Sequence, residues 1–175
     1  MSQLKVNSII PVAGVPTGGG GGIIQIKQTI KTDTFTHSSE TPAIITGLTA
    51  SITPTSTASK ILICMDVNYV PSAGNFTTML YIYRDGSVLT GAIGDAGQSN
   101  QLRVFKAGRA ESSNQPQSTN GIFLHSPATD SATTYQIYVA QEGGSTFHLN
   151  KLNSESNVAY HPRFTSAITV MEVSA

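Results

Sequence analysis

One run constrains this chain more than any other. Between Ile61 and Tyr69, the residues Ile61, Ile63, Met65, Val67 and Tyr69 alternate with Leu62, Cys64, Asp66 and Asn68. A period of two places each set on its own side of an extended strand, and the apolar side must be covered. Comparable runs extend over Ile23 to Ile30, Ala43 to Thr53, Phe76 to Arg84, Leu102 to Lys106, Gly121 to His125, Thr133 to Gln141, Thr146 to Asn150 and Phe164 to Val173. Turn chemistry separates them: Arg84-Asp85-Gly86-Ser87 and Glu142-Gly143-Gly144 supply glycine where a tight hairpin needs positive φ. No capped helical period competes with this pattern. Many short strands in about 150 residues predict an all-β, jelly-roll-like β-sandwich.

Composition narrows the partners. The chain has 175 residues, with 10 basic and 10 acidic side chains, and only 11% of it is charged, against about 25% in ordinary domains. Ser and Thr together number 41, so the surface is rich in hydroxyls rather than ions. Nucleic acid and anionic membranes are captured by clustered Lys and Arg, so neither is expected as a partner. No apolar run reaches the roughly 20 residues that span a bilayer, and no signal-peptide pattern opens the chain. Assembly in a cytoplasm is the corresponding expectation. Cys64 is the single cysteine, which excludes an intrachain disulfide and a four-thiolate zinc site. Its place in mid-strand predicts a thiol buried in the core.

The strongest break in composition is Gly18 to Gly22, five glycines in a row. It divides the chain into a peptide at 1–16, a hinge at 17–22 and a β domain at 23–175. Five flexible residues span about 12 Å, enough for the peptide to reorient. Neither a Gly-Lys-Ser/Thr nor a helix follows the glycines, so a phosphate-binding loop is not expected.

Catalytic signatures are missing from the pattern. His37, His125, His148 and His161 lack the spacing of a local metal pair, Gly86-Ser87 and Gly144-Ser145 lack the second glycine of a nucleophile elbow, and acids such as Asp85 and Glu142 sit beside turn glycines. The expectation is a protein that is not an enzyme and carries no metal or cofactor. Recognition is instead expected in three long connections, Gly91 to Asn100, Gly108 to Asn120 and Lys151 to Pro162. Their amides, Gln98, Asn100, Asn114, Gln117, Asn153 and Asn157, can donate to and accept from sugar hydroxyls. Arg109, Lys151 and Arg163 can pair with anionic substituents, and Tyr160 offers an aromatic face that stacks on a sugar ring.

Three stretches also resemble a known family. Ser2 to Pro11, the glycine run and Ile24 to Thr29 at the start, Thr46 to Pro54 with Ser59 to Leu62 in the middle, and Ser166 to Val173 at the end are similar to small virion proteins of tailed bacteriophages, of the type found in phages of aquatic and cyanobacterial hosts. That resemblance implies a homotrimeric short tail fibre. Its N-terminal peptide, through Leu4, Val6, Ile9 and Ile10, would dock on a tail or baseplate protein, while the β domain forms a tip that attaches to a host-surface glycan. A capsid decoration or collar protein without receptor binding is the alternative.

Overall fold

The structure is a computed structural model that describes residues 22–174. Residues 1–16, where docking through Leu4, Val6, Ile9 and Ile10 is expected, and all of the expected hinge except Gly22 therefore lie outside the described residues. Eleven strands follow in order: β1 (Ile23–Lys31), β2 (Phe35–His37), β3 (Ala43–Ile52), β4 (Lys60–Pro71), β5 (Thr77–Arg84), β6 (Ser87–Val88), β7 (Lys106–Arg109), β8 (Gln117–His125), β9 (Thr133–Gln141), β10 (Phe147–Leu149) and β11 (Ser166–Val173). The described residues hold no α-helix, only a 3-10 turn at Thr90–Ala92.

All strand pairs are antiparallel, and they form two sheets. In sheet A the principal order is β1-β11-β4-β8, and in sheet B it is β3-β9-β5-β7. With eight main strands the chain changes sheet at every step except β5 to β7, so that each sheet interleaves early and late strands, which is the double Greek key of a jelly roll. The expected fold class is the observed one.

The three shortest strands have a simple origin. β10 pairs with β4 at Tyr69 to Pro71 while β11 pairs with the same edge from Lys60 to Asp66, so β10 and β11 are one strand column interrupted by residues 151–165. β2 extends β1 beside them in the same way, pairing with β10. On the free edge of β5, β6 faces Tyr83 and Arg84 and β7 faces Thr77 to Leu80. The Leu89 amide donates to the Ile82 carbonyl at 2.9 Å and the Phe105 amide to the Leu80 carbonyl at 3.0 Å, so residues 90–104 are a second excursion from a single column.

The inner faces meet in one core. Ile61, Ile63, Met65, Val67 and Tyr69 of β4 pack with Ile168 and Val170 of β11 against Ile45, Leu48, Ile52, Leu80, Ile82, Tyr135, Ile137 and Val139 of sheet B. Burying each such side chain stabilises the fold by about 1.5 to 3 kcal/mol before entropy is counted. β3 keeps both Ile45 and Leu48 inside by a bulge between Ile44 and Thr49, where Gly47 takes φ +85°. At the Asp85-Gly86 turn both residues have positive φ, 49° and 81°, as the hairpin reading requires.

Sheet B also buries part of its outer face, over β5 and the end of β9. Residues 90–104 fold back over it, and Ile93 and Val104 join Met79, Tyr81, Tyr83, Val88, Tyr138 and Ala140 in a second apolar cluster. Tyr83 and Tyr138 stack there with ring centroids 3.6 Å apart. Because β5 is covered on both sides, its apolar run is continuous.

Three expectations need correction. Leu102 to Lys106 is not a strand, because Leu102 to Val104 belong to the segment crossing sheet B and pairing resumes at Phe105. β8 begins at Gln117 rather than Gly121, since the polar Gln117 to Asn120 pair by backbone with Tyr69 to Asp66 and show no apolar signal. Cys64 is not a core thiol: Ile63 and Met65 point inward, so Cys64 points outward and is only partly covered. Partial burial pushes its thiol pKa up.

Candidate functional site

The eight loop candidates fall into two groups. Gln98 and Asn100 are exposed on the excursion across sheet B, and Arg109 ends β7 on the same sheet. Asn114, Asn153, Asn157 and Tyr160 belong to two connections that meet on the side of sheet A. Gln117 opens β8 on sheet A, beside the second group; it and Arg109 are strand residues rather than residues of the long connections where the sequence pattern places them.

A groove of about 770 Å³ lies beside the first group, although none of Gln98, Asn100 and Arg109 lines it. Its floor is Met79 of β5 and Ala107 of β7, one bank is Gly94 to Val104, and the other bank carries Glu40 and Glu142. Local bonds build the bank. Arg103 Nε donates to the Gly94 carbonyl at 2.6 Å, the Gly94 amide to the Val104 carbonyl at 3.3 Å, and the Gln98 amide to Gln101 Oε1 at 2.9 Å. The opposite bank is tied to the sandwich: Glu142 accepts the Thr77 amide at 2.7 Å and Glu40 accepts the Gly143 amide at 3.1 Å. The bonds from the Thr77 amide, with Arg109 nearby, hold the Glu142 pKa below the ordinary carboxylate value. Apolar Met79, Leu102 and Val104 thus lie beside Glu40, Asp95, Glu142 and Arg103. This mixture suits a ligand with both C–H faces and hydroxyls.

The second group is a braced pair of loops. Asn114, at φ 63°, uses its side-chain oxygen to accept the amides of Asn153 at 2.9 Å and Ser154 at 3.3 Å. Its oxygen therefore positions residues 151–165. Within that segment Glu155 bridges Arg163 at 2.6 Å and Lys151 at 3.7 Å, and His161 Nδ1 accepts the Ser156 amide at 3.1 Å. Tyr160 is 77% exposed and stands edge-on to His161. Asn157 is also exposed.

The segment is anchored at both ends by Asn150, which is buried with φ 58°. Its side-chain amide donates to the carbonyls of Lys31 at 2.8 Å and Asp33 at 3.0 Å, and its oxygen accepts the Ser166 hydroxyl at 2.7 Å. Beneath the segment His148 is only 9% exposed, and neither ring nitrogen has a hydrogen-bond partner. Burial, with Lys151 adding to it, lowers its pKa, against smaller opposing effects from Asn153 and Glu155.

Among the described residues no three His, Cys, Asp or Glu side chains are grouped to hold a metal ion, and no helix is long and apolar enough to cross a membrane. Asp95 lies in the expected recognition loop Gly91 to Asn100, but Glu40 and the apolar members of the groove escaped sequence reasoning because they come from separate strands and connections. The one available signal was Glu142 beside Gly143-Gly144, which reads as an ordinary solvated turn.

No family model matches the chain and no curated protein matches it in sequence. Among solved structures it is similar to one described as the structure of infectious bursal disease virus Gx strain, at 11% identity and a TM-score of 0.39, over 87% of this chain and 38% of that one.

Proposed function

We propose that this chain is a virion component of a tailed bacteriophage: a homotrimeric short-tail-fibre tip that docks by residues 1–16 and attaches to a host-surface glycan without catalysis. The observation that carries the attachment reading is the groove between residues 94–104 and the Glu40 and Glu142 bank, an amphipathic trough of about 770 Å³. Sugars bind such surfaces through hydroxyls that bridge carboxylates and amides and through C–H faces on apolar side chains. Gln98 and Asn100 adjoin its lining residues Gly97 and Gln101 along the chain, Arg109 lies near Glu142, and Tyr160 with Asn157 offers a second contact area across the sandwich.

The test is competition. Purified full-length protein should block adsorption of the phage to its host, and Arg103→Ala combined with Glu142→Gln should remove the block while the circular dichroism spectrum stays native. If wild-type protein leaves adsorption unchanged at saturating concentration, the attachment reading fails and the capsid-decoration reading replaces it.

A further inference from the structure

The two sheets treat their outer faces differently. On sheet B residues 90–104 cover the outer face over β5 and part of β9, whereas on sheet A the segment 151–165 covers only the end around His148 and Leu152. The remaining outer face is a grid of four strand columns. Cross-strand pairing places Ile26, Met171, Leu62 and Leu124 in one row, Gln28, Thr169, Cys64 and Ile122 in the next, and Ile30, Ala167, Asp66 and Asn120 in the third. Ile26 is 56% exposed, Ile30 57%, Ile122 69% and Leu124 47%.

β1 shows that this is not leftover apolar surface. In an edge strand with one buried side, isoleucines belong inside and polar residues outside. Here the phase is inverted: Ile26 and Ile30 point out, while Gln25 and Thr29 point toward sheet B and donate to the carbonyls of Thr53 and Thr49, both at 2.7 Å. Of the twelve side chains in the grid only Asp66 is charged. It sits at the polar border, where Asn68 and Ser118 donate to its carboxylate at 3.2 and 3.4 Å.

We propose that this face of sheet A is where copies of this chain associate. Four columns about 4.8 Å apart and three rows about 6.7 Å apart give roughly 400 Å² before side-chain relief is counted. That lies within the 300 to 600 Å² of a monomer's largest patch and is about half of the ~800 Å² that one partner contributes to a standard interface. Ile26, Ile30, Ile122 and Leu124 protrude from the grid and add side-chain relief to that area. A face almost without charge is complementary to another such face, and around a three-fold axis each copy turns this same face toward its two neighbours. This inference does not depend on glycan attachment, because a fibre tip and a decoration protein would both assemble through it.

The experiment is light scattering on the full chain, paired with maleimide labelling of Cys64. Wild-type protein at micromolar concentration should show at least twice the 18.4 kDa chain mass, with Cys64 protected. Ile26→Glu combined with Ile122→Glu should reduce the mass to that of one chain and speed labelling at least tenfold, with a native near-ultraviolet spectrum, since both side chains are exposed in the single chain. Asn157→Glu combined with Tyr160→Glu should leave the mass unchanged. A wild-type monomer overturns the proposal: protected Cys64 would then mean that the chain's own residues 1–21 cover the face, and reactive Cys64 that the face stays open. A double variant that keeps the wild-type mass overturns it as well.

Discussion

Replacing Asn150 with alanine removes the fastening between the sandwich and residues 151–165. Three neutral hydrogen bonds disappear, those to the Lys31 and Asp33 carbonyls and that from the Ser166 hydroxyl. At about 1 kcal/mol each, the loss is about 3 kcal/mol. Alanine must also hold φ 58°, which costs it about 1 kcal/mol more than asparagine, whose short polar side chain tolerates that region. The expected destabilisation is therefore about 4 kcal/mol, equivalent to a fall in Tm of about 8 to 16 °C for a domain of this size. Asn150→Gly should recover about 1 kcal/mol, because glycine adopts the backbone angle freely. The assay is guanidinium unfolding followed by circular dichroism at one fixed protein concentration, since association adds its own stability. A double-mutant cycle with Ser166→Ala should return a coupling of about 1 kcal/mol. A loss below about 1.5 kcal/mol in Asn150→Ala would refute the reasoning, as would a glycine variant less stable than the alanine one.

Three further outcomes are expected. His148→Leu should be at least as stable as wild type at pH 7, because it replaces a buried ring with no hydrogen-bond partner by an apolar side chain of similar volume. Since burial lowers the His148 and His125 pKa values from 6.5, their stabilising contribution is present above that value and is lost as pH falls below it; the leucine variant should show a shallower loss as pH falls below 6.5 in thermal melts. Glu172 is fully buried; burial alone would raise its pKa, but bonds from Gln25, Thr55 and Ser59 hold it below 4.5. Its stabilisation is thus present above that pH and lost as pH falls through the folded value, and Glu172→Gln should cost about 2 to 3 kcal/mol at pH 7 while flattening the acid limb of the stability curve. Tyr135→Phe removes the 2.8 Å bond to His125 Nδ1 and should cost about 1 to 2 kcal/mol in chemical denaturation.

The fold was readable from sequence wherever one side of a strand is wet. β4 and β11 alternate because their inner residues meet the opposite sheet and their outer ones do not, and period two then suffices. Reading failed where pairing rests on backbone alone, as at Gln117 to Asn120, whose side chains carry no apolar signal. It failed differently at Cys64, where neighbours Leu62 and Cys64 are apolar on the outside of the sandwich and only the phase set by Ile61, Ile63 and Met65 reveals their direction. Of the site, Tyr160 and Asn157 were visible as exposed loop residues. The groove was not, because Glu40, Asp95 and Glu142 are separated by tens of residues and are gathered only by the jelly-roll crossings.

Two strand columns are interrupted by excursions of equal length, residues 90–104 and 151–165. Each leaves and re-enters beside the same neighbouring strand, so the sandwich itself holds the ends together. Length can then vary almost freely, because doubling such a loop costs only about 0.6 kcal/mol in closure entropy. The two excursions differ in how far that freedom extends. Residues 90–104 contribute Ile93 and Val104 to the second apolar cluster, which confines insertions to the tip around Gln98 to Asn100. Residues 151–165 are pinned by Asn150, Leu152 and Ser166 at their ends, leaving Glu155 to His161 as a stretch where foreign peptides can be displayed, or natural variants can diversify, while the β framework stays unchanged.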